Sequence, residues 1–161
     1  MAAAREFVVK LADGPYEVDR TSGPLVAERM RIRHFRTAEL WVAREFVRRA
    51  VLPGTYYFDV YLLTDDALDW MLRKPENLWS MAVPYMHRID AVCWQPGAVW
   101  ILEFKWRLNY SAIGQVLGYR DFFVREYHPD RLTRLMIVAT TDRRELHRTL
   151  EKEGIELHII K

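Results

Sequence analysis

The chain has one cysteine, Cys93, among its 161 residues. A single thiol excludes an internal disulfide and any site that needs several cysteine ligands, and it fits a reducing compartment, so we expect a cytoplasmic protein. Long apolar runs are lacking as well, because no hydrophobic stretch approaches the roughly 20 residues that cross a bilayer. Charges at Arg5, Glu6 and Lys10 interrupt the N-terminal segment, and the sequence predicts neither an export signal nor a membrane partner.

The chain also lacks a large excess of positive or of negative charge. The formal net charge is +2 and the pI is about 8.7, so a nucleic-acid partner has to be inferred from where the charges lie. Half of the residues are hydrophobic and 29% are charged, which is typical of a compact domain with a real core. No repeat, low-complexity tract or linker divides the chain, and we predict a single domain over residues 1–161.

Turn signals and apolar periodicity predict an α/β order of elements. A turn signal at residues 13–15, between apolar segments at 7–11 and 16–18, predicts a short hairpin within an N-terminal extension of residues 1–36. Helices are predicted over residues 37–50, about 68–72, 109 or 111 to 127, and 142–153. Extended segments are predicted over residues 55–63, 89–94, 99–102, 135–139 and 155–160, whereas residues 74–84 are predicted to be loop.

Basic and apolar side chains alternate from residue 29 onwards. As a strand, this segment would place Arg29, Arg31 and Arg33 on one face, where they can contact phosphates. A solvated edge strand or the start of a helix explains the same pattern equally well. The three arginines are therefore candidates for nucleic-acid binding.

The clearest hairpin surrounds residues 95–98. If a two-residue turn forms at its centre, Asp90 lies directly opposite Glu103, with Cβ atoms about 5 Å apart. A Pro-Gly pair also favours a longer loop, which would shift this register and separate the two acids. Like charges at this separation destabilise the pair unless a partner compensates them, and a divalent cation is such a partner. Lys105 lies two residues after Glu103 and projects from the same face, and the register brings Arg88 opposite Lys105.

Such an arrangement suits the hydrolysis of phosphodiesters. Asp90 and Glu103 offer hard oxygen ligands for Mg²⁺ or Mn²⁺, and the main-chain carbonyl of Phe104 offers a further one. The metal polarises the phosphate and lowers the pKa of an attacking water. Lys105 then stabilises developing negative charge or positions that water.

These residues resemble the motif of the PD-(D/E)xK nuclease superfamily, in which an acid, a hairpin spacer and an acid-x-Lys triplet follow one another. The chain reads Arg-Ile-Asp at residues 88–90 and Ile-Leu-Glu-Phe-Lys at residues 101–105. The next helix reads Gln-Val-Leu-Gly-Tyr at residues 115–119, which is similar to the Gln-x-x-x-Tyr signature of the RecB-like exonuclease branch, including CRISPR-associated exonucleases.

The resemblance implies a restriction-endonuclease-like αβββαβ core over about residues 37–139, with a mixed central sheet flanked by helices. Gln115 and Tyr119 share a helix face at the i, i+4 spacing, so both can address the site. Family members often add an acid from the first helix, which makes Glu39 a candidate third carboxylate, with Glu45 as the competing choice. The iron–sulfur cluster of some RecB-like members is excluded, since it needs four cysteines.

The implied function is that of an Mg²⁺- or Mn²⁺-dependent deoxyribonuclease in DNA repair or defence. Its substrate is DNA, with RNA as a possibility that stays open. The resemblance also leaves open whether the protein forms a homodimer or binds a partner protein. Arg88, Arg107 and Tyr110 are further candidates for nucleic-acid contacts. His34 and His87 lie near the motifs, but lone histidines are more often surface or core residues, so we place neither in the site. Three alternatives stay open: a dimeric endonuclease of the junction-resolvase type, a DNA-binding or scaffolding subunit that has lost turnover, and an unrelated α/β domain with an ordinary acidic hairpin.

Overall fold

Six α-helices and six strands make up most of the chain in a computed structural model that describes residues 2–161. The helices are α1 (Ala2–Val9), α2 (Gly23–Arg29), α3 (Thr37–Arg48), α4 (Asp65–Leu72), α5 (Tyr110–Tyr127) and α6 (His147–Lys152), and Glu76–Tyr85 and Arg144–Leu146 form 3-10 helices. The strands are β1 (Asp13–Val18), β2 (Gly54–Leu62), β3 (His87–Gln95), β4 (Ala98–Arg107), β5 (Leu132–Thr141) and β6 (Ile155–Ile159). Within these residues, none of the helices combines the length and the apolar character that crossing a membrane requires.

The six strands form one mixed sheet in the order β1-β2-β3-β4-β5-β6. Neighbours among the first four strands are antiparallel, whereas β4–β5 and β5–β6 are parallel. A tight turn suffices for the antiparallel pair β3–β4, but parallel neighbours need a crossover, which α5 and α6 provide. The predicted α/β fold, with a mixed sheet flanked by helices, is confirmed at this level.

The alternation of side chains along β4 divides the interior into two apolar cores. Leu102 and Phe104 pack in the core that contains α3, where the Phe46 ring meets the Phe104 ring edge-on at 5.7 Å. Val99 and Ile101 pack in the core that contains α5. Successive residues of a strand point to opposite faces, so β4 is covered on both sides, as expected for a central strand.

The hairpin of β3 and β4 has the predicted register. Its main-chain pairs run from the two-residue turn at 96–97 to the pair Ala91–Leu102. Asp90 and Glu103 come next, at the point where the regular pairing ends. The hairpin therefore brings the two predicted acids together where the main-chain pairing of β3 and β4 ends.

Helix α5 begins and ends at signals that the sequence contains. The Asn109 side chain accepts a hydrogen bond from the main-chain N–H of Ala112 at 2.9 Å, so Asn109 and not Ser111 is the N-cap. The helix ends at Tyr127, where His128 takes a left-handed conformation with φ 43° ahead of Pro129. This cap fixes the start of the helix that carries Gln-Val-Leu-Gly-Tyr.

The predicted N-terminal hairpin within residues 1–36 is wrong. Ala2–Val9 form α1, and β1 pairs with β2 rather than with a preceding strand. Ala4 and Val8, four residues apart on one helix face, are buried in a small core that also contains Met71. Burial of this face outweighs the turn signal at 13–15, which lies inside β1. Residue 1 lies outside the described residues.

The strand considered from residue 29 onwards does not form. Helix α2 ends at Arg29, and residues 30–36 form no strand. Met30 and Ile32 are buried in the core beside α3, whereas Arg31 and Arg33 are exposed. The alternation therefore reflects an irregular segment that is anchored by every second side chain, without any strand pairing.

Two other segments differ from the prediction. Residues 74–84, predicted to be loop, lie largely in the 3-10 helix Glu76–Tyr85, where the Trp79 indole donates a hydrogen bond to the Met71 carbonyl at 2.9 Å. The predicted helix over 142–153 is divided into a 3-10 turn and α6. Short 3-10 segments of this kind have no apolar period long enough to be recognised in the sequence or to be told from an α-helix.

Candidate active site

Three buried acids lie side by side on neighbouring strands. Asp59 on β2, Asp90 on β3 and Glu103 on β4 are 2%, 4% and 1% exposed, and in residues 2–161 they are the charged side chains that the fold buries. On β2 and β3, Phe58 pairs with Ala91 and Val60 pairs with Ile89. Asp59 and Asp90 lie between these two pairs and are therefore neighbours across the strands. Because buried charge is costly, each of these carboxylates requires polar partners.

Asp59 interrupts β2 with a left-handed backbone conformation, at φ 51°. Aspartate tolerates this conformation better than most residues do. Its Oδ2 accepts the main-chain N–H of Arg33 at 2.9 Å, and its Oδ1 lies 2.8 Å from Nδ1 of His34. The acid thus fastens residues 30–36 to the sheet.

His34 connects Asp59 to Asp90. Its Nε2 lies 2.9 Å from Oδ1 of Asp90, whose other oxygen accepts the main-chain N–H of Phe104 at 2.8 Å. Burial lowers the pKa of His34, but the hydrogen bonds to Asp59 and Asp90 outweigh that effect and raise the pKa to about 9. At neutral pH the ring is therefore an imidazolium that donates a hydrogen bond to each acid.

Glu103 and Lys105 form a close ion pair, with Lys105 Nζ 2.6 Å from Oε1 of Glu103. The second oxygen, Oε2, is buried and has no hydrogen-bond partner. Burial, followed by the charge of Asp90, raises the pKa of Glu103 to about 8. Burial lowers the pKa of Lys105, but the charge of Glu103 and the hydrogen bond to it leave the Lys105 pKa above its ordinary value.

One polar pocket of about 240 Å³ opens onto these groups. The residues predicted as catalytic from the sequence all line it: Asp90, Glu103, Lys105, Gln115, Tyr119 and Glu39. The residues come from α3, β3, β4 and α5, so the pocket lies where the two antiparallel strands separate between two helices. The competing acid, Glu45, instead pairs with Arg48 and Arg49 of its own helix.

Gln115 and Tyr119 lie on one face of α5, as the spacing predicts. Gln115 Nε2 donates a hydrogen bond to the Tyr119 hydroxyl at 3.3 Å. Burial, followed by the charge of Glu103, raises the pKa of Tyr119, so its hydroxyl stays protonated and available as a donor. The two side chains thus present polar groups to the pocket from the helix opposite Glu39.

The donor set of the pocket fits a divalent cation. In residues 2–161, no three histidine, cysteine or acidic side chains are grouped so that they could hold a metal by themselves. Mg²⁺, however, is usually held by one or two carboxylates together with waters and substrate phosphates. The buried, unpartnered Oε2 of Glu103 beside Asp90 is the atom that such a cation would satisfy.

Three residues of this site were not predicted from the sequence. His34 and His87, which were left out of the predicted site, both line the pocket, and Asp59 supports it through His34. An aspartate inside an otherwise apolar strand was the available signal for Asp59. The position of His34 depends on the irregular path of residues 30–36, and sequence spacing alone gives no signal for it.

Three of the residues that were predicted to contact nucleic acid, Arg88, Arg107 and Tyr110, differ from one another in burial and partners. Arg88 lines the pocket, but it donates a hydrogen bond to the Tyr61 hydroxyl at 3.1 Å and lies 3.7 Å from Asp59. Main-chain pairing stops before the predicted Arg88–Lys105 pair. Arg107 is exposed at the end of β4, and Tyr110 is 63% exposed at the start of α5.

His34 predicts a pH-dependent stability in the presence of a chelator. Its pKa is about 9 in the folded chain and near 6.5 in an unfolded one, so its contribution is complete below pH 6.5 and is lost as the pH rises towards 9. We expect the thermal midpoint of the wild type to fall over this range, and to fall less in His34→Gln. His147→Gln, which removes an exposed histidine–aspartate pair, should keep the wild-type profile. Identical profiles for the wild type and His34→Gln would contradict this assignment.

Comparisons with known proteins give no relative on which to base a function. No model of a protein family matches the chain, and no curated protein or solved structure gives a significant match. Any function consequently has to be inferred from the geometry of the pocket.

Proposed function

We propose that the protein is a metal-dependent nuclease that hydrolyses phosphodiester bonds in DNA. The observation that carries this proposal is the convergence of Asp90, Glu103 and Lys105 in one open polar pocket. Two carboxylates beside an ammonium group match what phosphodiester hydrolysis needs, which is a place for a cation and a group that stabilises negative charge.

The order of elements supports membership of the PD-(D/E)xK superfamily as part of the proposal. From α3 onwards the chain runs α3, β2, β3, β4, α5 and β5, with α4 and a 3-10 helix between β2 and β3. The acids come from β3 and β4, and the Gln-x-x-x-Tyr pair comes from the following helix. This arrangement is the one expected of a RecB-like member.

The chain's own residues have separable roles in the proposed reaction. Asp90, Glu103 and the Phe104 carbonyl would hold Mg²⁺ or Mn²⁺, and the bound ion supplies polarisation of the phosphate and a lower pKa for the attacking water. His34 and the Phe104 N–H hold the Asp90 carboxylate in place through one hydrogen bond to each oxygen. Lys105 places positive charge beside Glu103, where the developing charge of the phosphate is stabilised.

The second helix of the pocket would orient the substrate. Gln115 and Tyr119 present an amide and a hydroxyl to the pocket, and both groups can donate hydrogen bonds to phosphate oxygens. Glu39, on the opposite wall, lies near enough for its charge to raise the pKa of Lys105. A strand that enters the pocket therefore meets donors on one side and acids on the other.

Incubation with end-labelled single- and double-stranded DNA, with a labelled RNA in parallel, tests this proposal. We expect cleavage of DNA with Mn²⁺ or Mg²⁺ and none with chelator. Glu103→Gln should abolish cleavage, whereas Glu45→Gln, which changes an acid on α3 outside the pocket, should retain it. A wild type that binds DNA without cutting it would instead identify a non-catalytic binding subunit. Metal-independent cleavage, or cleavage by Glu103→Gln at the wild-type rate, would refute the proposed mechanism.

A further inference from the structure

A second polar cavity lies next to the candidate active site. It has a volume of about 630 Å³, and its charged lining consists of Arg29, Arg31, Arg33, Arg44, Asp13 and Glu28. The arginines at 29, 31 and 33 therefore converge on one cavity, although the segment that carries them does not form a strand. We call this concavity the arginine cavity.

The four arginines of the arginine cavity have no ionic partner in the part of the chain that the structure describes. Throughout residues 2–161, no carboxylate lies within 4.0 Å of their guanidinium nitrogens. Arg44 also has a buried Nε without a hydrogen-bond partner, whereas Arg48 and Arg49 of the same helix pair with Glu45. Their charge is consequently available to a ligand.

The acids of the arginine cavity offset this charge only in part. Both oxygens of Asp13 already accept hydrogen bonds, from the Tyr16 hydroxyl at 2.8 Å and from the main-chain N–H of Arg31 at 2.9 Å. Glu28 is the other acid, so four cations face two anions. A concave surface with excess guanidinium groups attracts anions, and phosphate oxygens match the donor geometry of arginine.

The arginine cavity and the candidate active site share two structural elements. Arg33 lines the cavity, and the next residue, His34, lines the catalytic pocket and bonds to Asp90. On α3, Glu39 lines the pocket and Arg44 lines the cavity, about 7.5 Å further along the helix axis at 1.5 Å per residue. A single nucleic-acid strand can therefore contact both sites with neighbouring nucleotides.

We infer that the arginine cavity binds a backbone phosphate of the same nucleic-acid strand whose scissile phosphodiester occupies the catalytic pocket. This inference rests on the proposed function for the identity of the strand. Contacts to phosphate are independent of base sequence, so the cavity sets the position and direction of the strand without reading its sequence. Arg44, which no sequence pattern indicated, is a main contributor.

Binding of a fluorescent single-stranded oligonucleotide in chelator, followed by anisotropy over a range of salt concentrations, tests the inference. We expect Arg33→Gln/Arg44→Gln to bind at least about tenfold more weakly. The slope of log K against log salt should fall by about 0.7 for each phosphate that the variant no longer neutralises. The control Arg20→Gln/Arg148→Gln removes two exposed arginines elsewhere and should bind as the wild type does. Arg33→Lys/Arg44→Lys should retain most of the salt slope, since the charge is kept.

The result separates this inference from the proposed function. Wild-type affinity and slope in Arg33→Gln/Arg44→Gln would overturn the inference, and so would absence of oligonucleotide binding by the wild type. Arginine-dependent binding without Mn²⁺-dependent cleavage would support the arginine cavity while refuting the nuclease. Metal-dependent cleavage together with arginine-independent binding would support the nuclease while refuting the role of the arginine cavity.

Discussion

Replacing Lys105 with alanine is expected to slow metal-dependent cleavage of DNA by about 10²–10³-fold, the loss typical when a group that stabilises transition-state charge is removed. Lys105 Nζ lies 2.6 Å from Oε1 of Glu103 inside the pocket, and no other lysine lines that pocket. Its loss removes the cation that the proposed mechanism places beside the phosphate, and it leaves the buried Glu103 carboxylate without its partner. The measurement is the single-turnover rate of cleavage in Mn²⁺.

Two matched variants separate charge from packing in this experiment. Lys105→Met keeps the length of the side chain and should be as slow as Lys105→Ala. Lys152→Ala removes an exposed lysine on α6 and should cleave at the wild-type rate. Cleavage by folded Lys105→Met at a rate close to that of the wild type would remove Lys105 from the mechanism.

Replacing Asp59 with alanine is expected to lower the free energy of unfolding by about 3–5 kcal/mol, the cost typical of breaking a buried ion pair from one side. The Asp59 carboxylate accepts the Arg33 N–H and bonds to His34, and Arg88 lies 3.7 Å away. Alanine would leave the Arg33 N–H and Nδ1 of His34 without an acceptor. It also tolerates the left-handed backbone at φ 51° poorly. Chemical denaturation measures the change.

Two control variants test the Asp59 prediction: a conservative change at Asp59 and the removal of an exposed aspartate. Asp59→Asn keeps the shape, an acceptor oxygen and tolerance of the left-handed conformation, so it should lose less stability than Asp59→Ala. Asp69→Ala removes an exposed aspartate on α4 and should change the free energy of unfolding by less than about 0.5 kcal/mol. A loss of under about 1 kcal/mol in Asp59→Ala would show that the contacts of this acid contribute little net stability.

The central hairpin and α5 were predictable because their signals are local. A two-residue turn sets the register of the whole β3–β4 pair, and with it the position of Asp90 relative to Glu103. The Pro-Gly pair left a longer loop open, and the structure has the two-residue turn. Asn109 similarly fixes the start of α5, and with it the face that carries Gln115 and Tyr119. These two signals place five of the six predicted catalytic residues, whereas the sixth, Glu39, lies on α3. The chemical roles of all six stay predictions.

The remainder of the site depends on contacts between residues that are distant in the sequence. His34 reaches Asp59 and Asp90, which are 25 and 56 residues away, through an irregular segment that has no pattern of its own. The prediction of an N-terminal hairpin failed for a related reason. Helix α1 is stabilised because its buried face packs into a core, and a local turn signal carries no information about that core. Tertiary burial decided both cases.

Calorimetric titration of Mn²⁺ into the wild type and into Glu103→Gln tests most directly whether the paired acids form a cation site. We predict saturable binding to the wild type and affinity at least about tenfold weaker in the variant, because the amide replaces the carboxylate whose Oε2 lacks a partner. No binding by the wild type, or equal affinity in the two proteins, would contradict a cation site at Asp90 and Glu103.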